Sequence, residues 1–461
     1  MSSSTGETAQ KFVRFVPLTC SALRPISTKL LWYFLLFSLS SLIPGTFFLY
    51  NACYRRSLDA KHHSDQSPLA WADSSFGSYV ASLQNNKNND AHSLLKIFQD
   101  QERRRRLDVN SENAAEVPDC FLEGTVSGTE KQKPCKCRQG WNGVGCSIPD
   151  AVWFTDAFQD WYLKGLIKRR SRPRAIINGL VFNHELDLFE IRVKELGDAV
   201  DYYVVVESNY TYFGSTKPLH FRSNMSAGFL REHAHKIVPI AVGFYNYEYG
   251  SPWAPENYFR SSIWREGQSR LKNLRDDDLF MILDADEIPS RDVLLFLKYH
   301  DGYGEPMSLK FRSFLYGFFW TNYEPVEVGG VCTVAALRHL YWNDSLLVRR
   351  AEQYFPKTLP YTGTVKMKWS ITGTEPRYAG WHCSWCFEAH GIQVKLASAQ
   401  RDDGVRWGDF ANKTDLAYIE SIRKAGRYFD DSSLMYSCDA LEVAPPYVKD
   451  NADRFQYLMK L

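Results

Sequence analysis

LFMILDADE, residues 279–287, is the stretch on which the fold turns. Five apolar residues in succession, Leu279 to Leu283, read as a strand buried on both faces, and they run without a break into Asp284-Ala285-Asp286-Glu287. In extended chain a two-residue spacing points Asp284 and Asp286 the same way. Three similar runs lie upstream: Ala175 to Phe182 (AIINGLVF), Tyr202 to Val206 (YYVVV) and His235 to Val242. Between them, apolar residues at helical spacing mark Leu186 to Leu196, and a second helix is expected over Glu256 to Leu274. Strands separated by helices predict an α/β fold, a mostly parallel sheet flanked by helices. Ligands collect at the carboxyl ends of the strands in such sheets, which is where the acidic cluster sits.

Two aligned carboxylates suit a hard divalent cation, Mn²⁺ or Mg²⁺, that keeps positions open for a diphosphate. Such a cation would act as a Lewis acid on a departing nucleoside diphosphate. Glu207 closes the second strand, and Asn183-His184-Glu185 follow the first, so all four are candidates to line a nucleotide pocket. Arg260, Arg265 and Arg270, all on the second expected helix, are candidates for diphosphate contact.

The rest of the chain describes a compartment. Leu30 to Tyr50 carries no charge and is long enough to span a bilayer. Four sequons, at Asn209, Asn224, Asn343 and Asn412, and eight of the ten cysteines lie well beyond it. Both features belong to an oxidising secretory lumen. The expected layout is a cytosolic tail (1–29), a transmembrane anchor (30–50), a polar stem (51–119) and a lumenal body, the arrangement of a single-pass type II Golgi membrane enzyme. Arg103 to Arg106 in the stem is a solvated charge run or a basic cleavage site. A net charge of +2 gives no electrostatic footprint for nucleic acid.

Cys120, Cys135, Cys137 and Cys146, with Gly140 and Gly143 between the last two, resemble the C-terminal half of an EGF-like module. Residues 120–149 are therefore expected to form a disulfide-stapled spacer ahead of a catalytic domain at 150–461. Farther on, Gly380-Trp381-His382-Cys383-Ser384-Trp385-Cys386-Phe387 concentrates aromatic, imidazole and thiol groups. Structural disulfides are expected among Cys332, Cys383, Cys386 and Cys438, in a pairing the sequence leaves open. His382 is a candidate metal ligand, and Trp381 or Trp385 a candidate to stack on a sugar ring.

From about Cys135 to Leu461 the chain resembles glycosyltransferase family 17. The resemblance rests on NHELDLFEIRVKELGDAVDYYVVVESNYTYFG (183–214), SRLKNLRDDDLFMILDADEIPSRD (269–292), SFLYGFFW (313–320), AGWHCSWCF (379–387) and RWGDF (406–410). It implies a GT-A-like fold, UDP-GlcNAc as donor and Mn²⁺ dependence. The implied reaction is transfer of GlcNAc, with inversion, in β1,4 linkage to the core β-mannose of N-linked glycans, so that N-glycosylated proteins are the acceptors. It also carries the metal and diphosphate role onto Asp284 and Asp286. A one-step inversion needs a general base, for which Asp409, Glu388 and Glu287 are candidates. The first 119 residues share no family pattern, and YNYEYGSPWAPENYF (245–259) departs from it. A related transferase with another acceptor arm or UDP-sugar therefore stays open, as does a catalytically silent lumenal glycan-binding protein.

Overall fold

Ile176–Val181 (β1), Tyr202–Ser208 (β2), Ile237–Val242 (β3) and Leu279–Ile282 (β4) pair in the order β3-β2-β1-β4, all parallel. Successive side chains point to opposite faces. Ile176, Leu180, Leu279 and Met281 enter one core, while Ile177, Phe280 and Ile282 enter another. Leu186–Leu196 (α1) covers the first face through Phe189 and Val193, and Ala254–Gly267 (α3) the second through Ile263 and Trp264. A short helix, His220–Ser226 (α2), follows β2. Gly179 allows the close approach of α3: a Cβ there would lie 2.4 Å from the Ile263 side chain. This structure, a computed structural model, describes residues 119–243, 253–351, 369–399, 406–430 and 434–460. The expected span at 30–50, nearly all of the stem with Arg103 to Arg106, and residues 245–252 of the 245–259 loop lie outside the described residues. Among the described residues no helix is long and apolar enough to cross a membrane.

The second half of the sheet corrects the expectation of a mostly parallel one. Met307–Leu315 (β6) and Trp320–Thr333 (β7) form an antiparallel hairpin, and β7 continues antiparallel onto β4. Only residues 316–319 join β6 to β7, too few for the crossover that parallel strands require. Gly380–Ser384 (β8) lies parallel to β6, and Glu287–Pro289 (β5) pairs antiparallel with β8 at the far edge. The order along the sheet is β3-β2-β1-β4-β7-β6-β8-β5, with the short strands Trp369–Ile371 and Tyr436–Ser437 added on β6 and β7.

That order forces the sheet to curl. β4 and β5 stand four places apart, about 19 Å at the usual strand spacing. Only Leu283 to Asp286 connect them, and this link turns sharply, with the Glu287 amide donating to the Asp284 carbonyl at 3.0 Å. The acidic turn is thus where the β5 edge of a curled sheet comes back to the carboxyl end of β4.

The N-terminal segment is stapled by Cys120–Cys135 and Cys137–Cys146. Its Phe121, Trp141 and Ile148 belong to the same core as Ile176 and Leu279. Ser147 Oγ and the buried His300 Nε2 lie 3.0 Å apart across the junction.

Candidate active site

Asp284 and Asp286 stand on a turn held from beneath by one guanidinium. Arg192, wholly buried on α1, donates to the carbonyls of Asp284 and Glu287, the latter at 2.7 Å, and to Asn178 Oδ1 on β1 at 2.8 Å. These bonds tie the two ends of the turn, through their carbonyls, to β1. From the other side, β8 pairs His382 opposite Glu287, and the Cys383 amide donates to the Asp286 carbonyl at 2.8 Å.

Three cations face the two carboxylates. Arg260 on α3 donates to Asp284 at 2.7 and 2.9 Å. Arg349, at the end of the short helix Ser345–Arg349 (α4), donates to Asp284 Oδ2 at 2.9 Å and to both oxygens of Glu287 at 2.7 and 3.0 Å. Lys395, on Ala389–Ser398 (α5), donates to Asp286 Oδ2 at 3.0 Å. Burial pushes the Asp284 carboxyl up, but Arg260 and then Arg349 outweigh it and hold the group well below the usual carboxylate range. Asp286 is likewise held low, Lys395 and His382 outweighing its burial. Burial lowers the Lys395 ammonium, yet Asp286 and Glu185 raise it above its ordinary value. That ammonium also lies over the rings of Trp385 at 5.2 Å and Phe387 at 5.7 Å.

Beside this charge cluster, the carboxyl ends of β1 and β2 border a shallow cleft lined by Asn183, Ser208, Tyr210, Thr211, Tyr212, Lys217 and Phe259 among others. Tyr212 and Phe259 form a tilted ring pair at 5.5 Å. Burial raises the Tyr212 hydroxyl, with Glu256 and Asp284 adding to the rise and Arg260 opposing it. Lys217 reaches the Asn183 carbonyl at 3.3 Å, and burial lowers its ammonium.

The residues present suit a divalent cation in donor chemistry. Asp286 Oδ1 and His382 Nε2 lie 4.0 Å apart, and His382 Nδ1 is buried with no hydrogen-bond partner. Asp284 is already bonded to two guanidiniums. Among the described residues, no three acidic, histidine or cysteine side chains yet converge as a metal would gather them.

Other expected residues are placed elsewhere. Glu207 does stand at the end of β2, but its carboxylate accepts from the Phe221 and Arg222 amides at 2.9 and 2.6 Å, capping α2. Glu185 turns back onto the Asn183 and His184 amides at 2.7 and 3.0 Å. His184 stacks on Phe387 at 4.5 Å and contacts the Gly391 carbonyl, facing α5. Arg265 pairs with Glu266, and Arg270 donates to the Pro239 carbonyl at 2.8 Å. α3 ends at Gly267, short of the expected Leu274, so Arg270 lies beyond it; within α3 a five-residue step turns the helix about 140°, which puts 260 and 265 on different faces. The Trp381 indole donates to the Val443 carbonyl at 2.7 Å within the core under β8. Asp409 pairs with Arg406 at 2.5 Å, and Glu388 is exposed at the start of α5. Asn209, Asn343 and Asn412 are exposed, whereas Asn224 lies in α2 with its amide on the His220 carbonyl.

The cysteine expectation needs correction in part. Cys383 and Cys386 form a disulfide across a tight turn, with Trp385 at φ 55°. Cys332 and Cys438 are free thiols. They cannot pair with one another because Cys332 packs beneath β4 and α3, while Cys438 belongs to the separate core under β8.

Residues 160–327 match the sequence model of Glycosyltransferase family 17. The chain carries a glycosyltransferase family 17 domain. It is 40% identical over 336 residues to a Rattus norvegicus protein named beta-1,4-mannosyl-glycoprotein 4-beta-N-acetylglucosaminyltransferase, covering 71% of this chain and 61% of that one. The Homo sapiens protein of the same name is 41% identical over 346 residues, covering 73% and 64%, and the Mus musculus one 40% over 347 residues, covering 73% and 63%. The chain thus spans a little under two thirds of the length of these relatives. The family 17 match takes in β1 to β4, the acidic turn, Arg192, Arg260, Tyr212 and Lys217. Arg349, His382 and Lys395 lie beyond residue 327 and come to the turn through α4, β8 and α5.

Proposed function

We propose that this chain is an inverting transferase that moves GlcNAc from UDP-GlcNAc in β1,4 linkage onto the core β-mannose of N-linked glycans. The observation that carries the reading is a family 17 domain whose paired aspartates, at a strand end, are ringed by Arg260, Arg349 and Lys395 next to an aromatic-lined cleft. The cleft at β1 and β2 takes the nucleoside, with Tyr212 and Phe259 against the base. The diphosphate then reaches the acidic turn, where the three cations offset its charge as the sugar leaves. A divalent cation held by Asp286, His382 and Asp284 would add Lewis-acid stabilisation of the leaving group.

Inversion in one step requires a carboxylate on the acceptor side to take the proton of the attacking hydroxyl. Glu287 is unsuited: it is buried, and both its oxygens accept hydrogen bonds from Arg349 and one also from the Asp284 amide. Asp409 and Glu388 are the accessible carboxylates for this role. Three disulfides in the described residues and the four sequons accord with a lumenal catalytic domain, and the apolar run at 30–50 with a type II Golgi anchor.

The test is mass spectrometry of a biantennary N-glycan incubated with the full chain and UDP-GlcNAc, with and without Mn²⁺. The product should gain one N-acetylhexosamine on the core β-mannose. Addition to another arm would indicate a related transferase, and no addition with any UDP-sugar would favour a silent glycan binder.

A further inference from the structure

Asp284 Oδ2 accepts from two guanidiniums at once, Arg260 at 2.7 Å and Arg349 at 2.9 Å. Each guanidinium has a second carboxylate of its own. Arg260 is held by Glu256, one helical turn earlier in α3, at 2.6 Å. Arg349 is held by both oxygens of Glu287. If Asp284 were withdrawn, neither arginine would lose its place, and each would have N–H capacity to spend. Arg260 already has one unspent donor, a buried Nε with no partner. A divalent cation on Asp284 would sit about 2 Å from a carboxylate oxygen, crowding two guanidiniums of like charge. The oxygen cannot serve both.

Building on the donor-site reading above, we propose that Arg260 and Arg349 are resident counter-cations of Asp284 that a divalent metal displaces. Once displaced, and still anchored on Glu256 and Glu287, they bind the nucleotide diphosphate. Metal and diphosphate binding are therefore coupled through one carboxylate. The ion pairs keep the acidic turn neutral when no nucleotide is bound and disfavour metal uptake alone. The diphosphate repays the exchange by accepting from the guanidiniums, in the paired geometry that arginine offers phosphate oxygens.

The experiment is calorimetric titration of the full chain with Mn²⁺, alone and with saturating UDP, for wild type, Arg349→Gln and Arg260→Gln. In the wild type UDP should tighten Mn²⁺ binding by about fivefold or more, the usual lower end for coupled sites. In either variant Mn²⁺ alone should bind more tightly than in wild type, while the tightening by UDP shrinks towards none. A purely structural role would weaken both, so the opposite signs are diagnostic. Loss of Arg349 leaves the buried Glu287 with the Asp284 amide but no cation, which can prevent folding; Arg260→Gln then carries the test alone. The proposal is overturned if a variant with wild-type near-UV circular dichroism binds Mn²⁺ no more tightly than wild type, or keeps the full UDP effect. If wild type binds neither Mn²⁺ nor UDP, the donor-site reading itself falls, an outcome separable from failure of the coupling alone.

Discussion

Replacing Arg192 by Met removes the one group that holds the acidic turn from below while leaving a side chain of comparable length. Three acceptors lose a hydrogen bond: the Glu287 carbonyl, Asn178 Oδ1 and the Asp284 carbonyl, the last of which keeps the Glu287 amide. A buried acceptor left unpaired costs about 1–3 kcal/mol. The guanidinium is itself wholly buried, and that burial lowers its pKa, so its removal returns part of the cost. A net loss of about 3 kcal/mol is expected, which in a domain of this size lowers Tm by roughly 4–5 °C. The larger effect is on the site. Displacing Asp284 and Asp286 by 1 Å would cost about a hundredfold in rate, even well below the melting transition. The assay pairs urea unfolding followed by circular dichroism with kcat/KM for UDP-GlcNAc at 20 °C. Arg192→Lys should fall between the two, since one ammonium cannot span all three acceptors. A Met variant with wild-type unfolding midpoint and wild-type kcat/KM would refute the reasoning.

Two further outcomes follow from the charge arrangement. Lys395→Met leaves Asp286 without its cation and should lower kcat/KM roughly 10–100-fold, the worth of one charge-assisted hydrogen bond; Arg at this position should restore part of it, and an unchanged kcat/KM in the Met variant would contradict the assignment. Burial pushes His300 down to about 4, against an ordinary value near 6.5. Between those values the unfolded chain binds the extra proton, so stability should fall as pH drops from about 6.5 to 4, by at most about 3 kcal/mol. Urea midpoints at pH 7 and pH 4.5 measure this, and His300→Gln should reduce the difference. Asp284 and Asp286, whose carboxyls are held low, add their own loss only at lower pH.

The parallel half of the fold was legible because β-branched and aromatic runs such as YYVVV and LFMIL are buried on both faces and need no partner information to be read. The antiparallel half was not. β7 carries Pro325, Glu327, Gly329 and Gly330, and β8 is Gly-Trp-His-Cys-Ser, patterns that acquire meaning only when paired with β6 and β5. Within the site, Asp284 and Asp286 were readable from their place at a strand end. Arg192, Arg349 and Lys395 were hidden for one physical reason: a charged residue in a helix reads as solvent-facing, and the burial of these three is decided by partners 65 to 109 residues away. Glu207 shows the converse. Its position was read well, but the free amides of α2 capture its carboxylate.

The most direct test of the central claim is a crystal structure of this chain with UDP bound. The account predicts the uracil against Tyr212 and Phe259 and the terminal phosphate within hydrogen-bonding reach, about 3 Å, of Arg260 or Arg349 above the Asp284–Asp286 turn. A nucleotide seated away from that turn would contradict it.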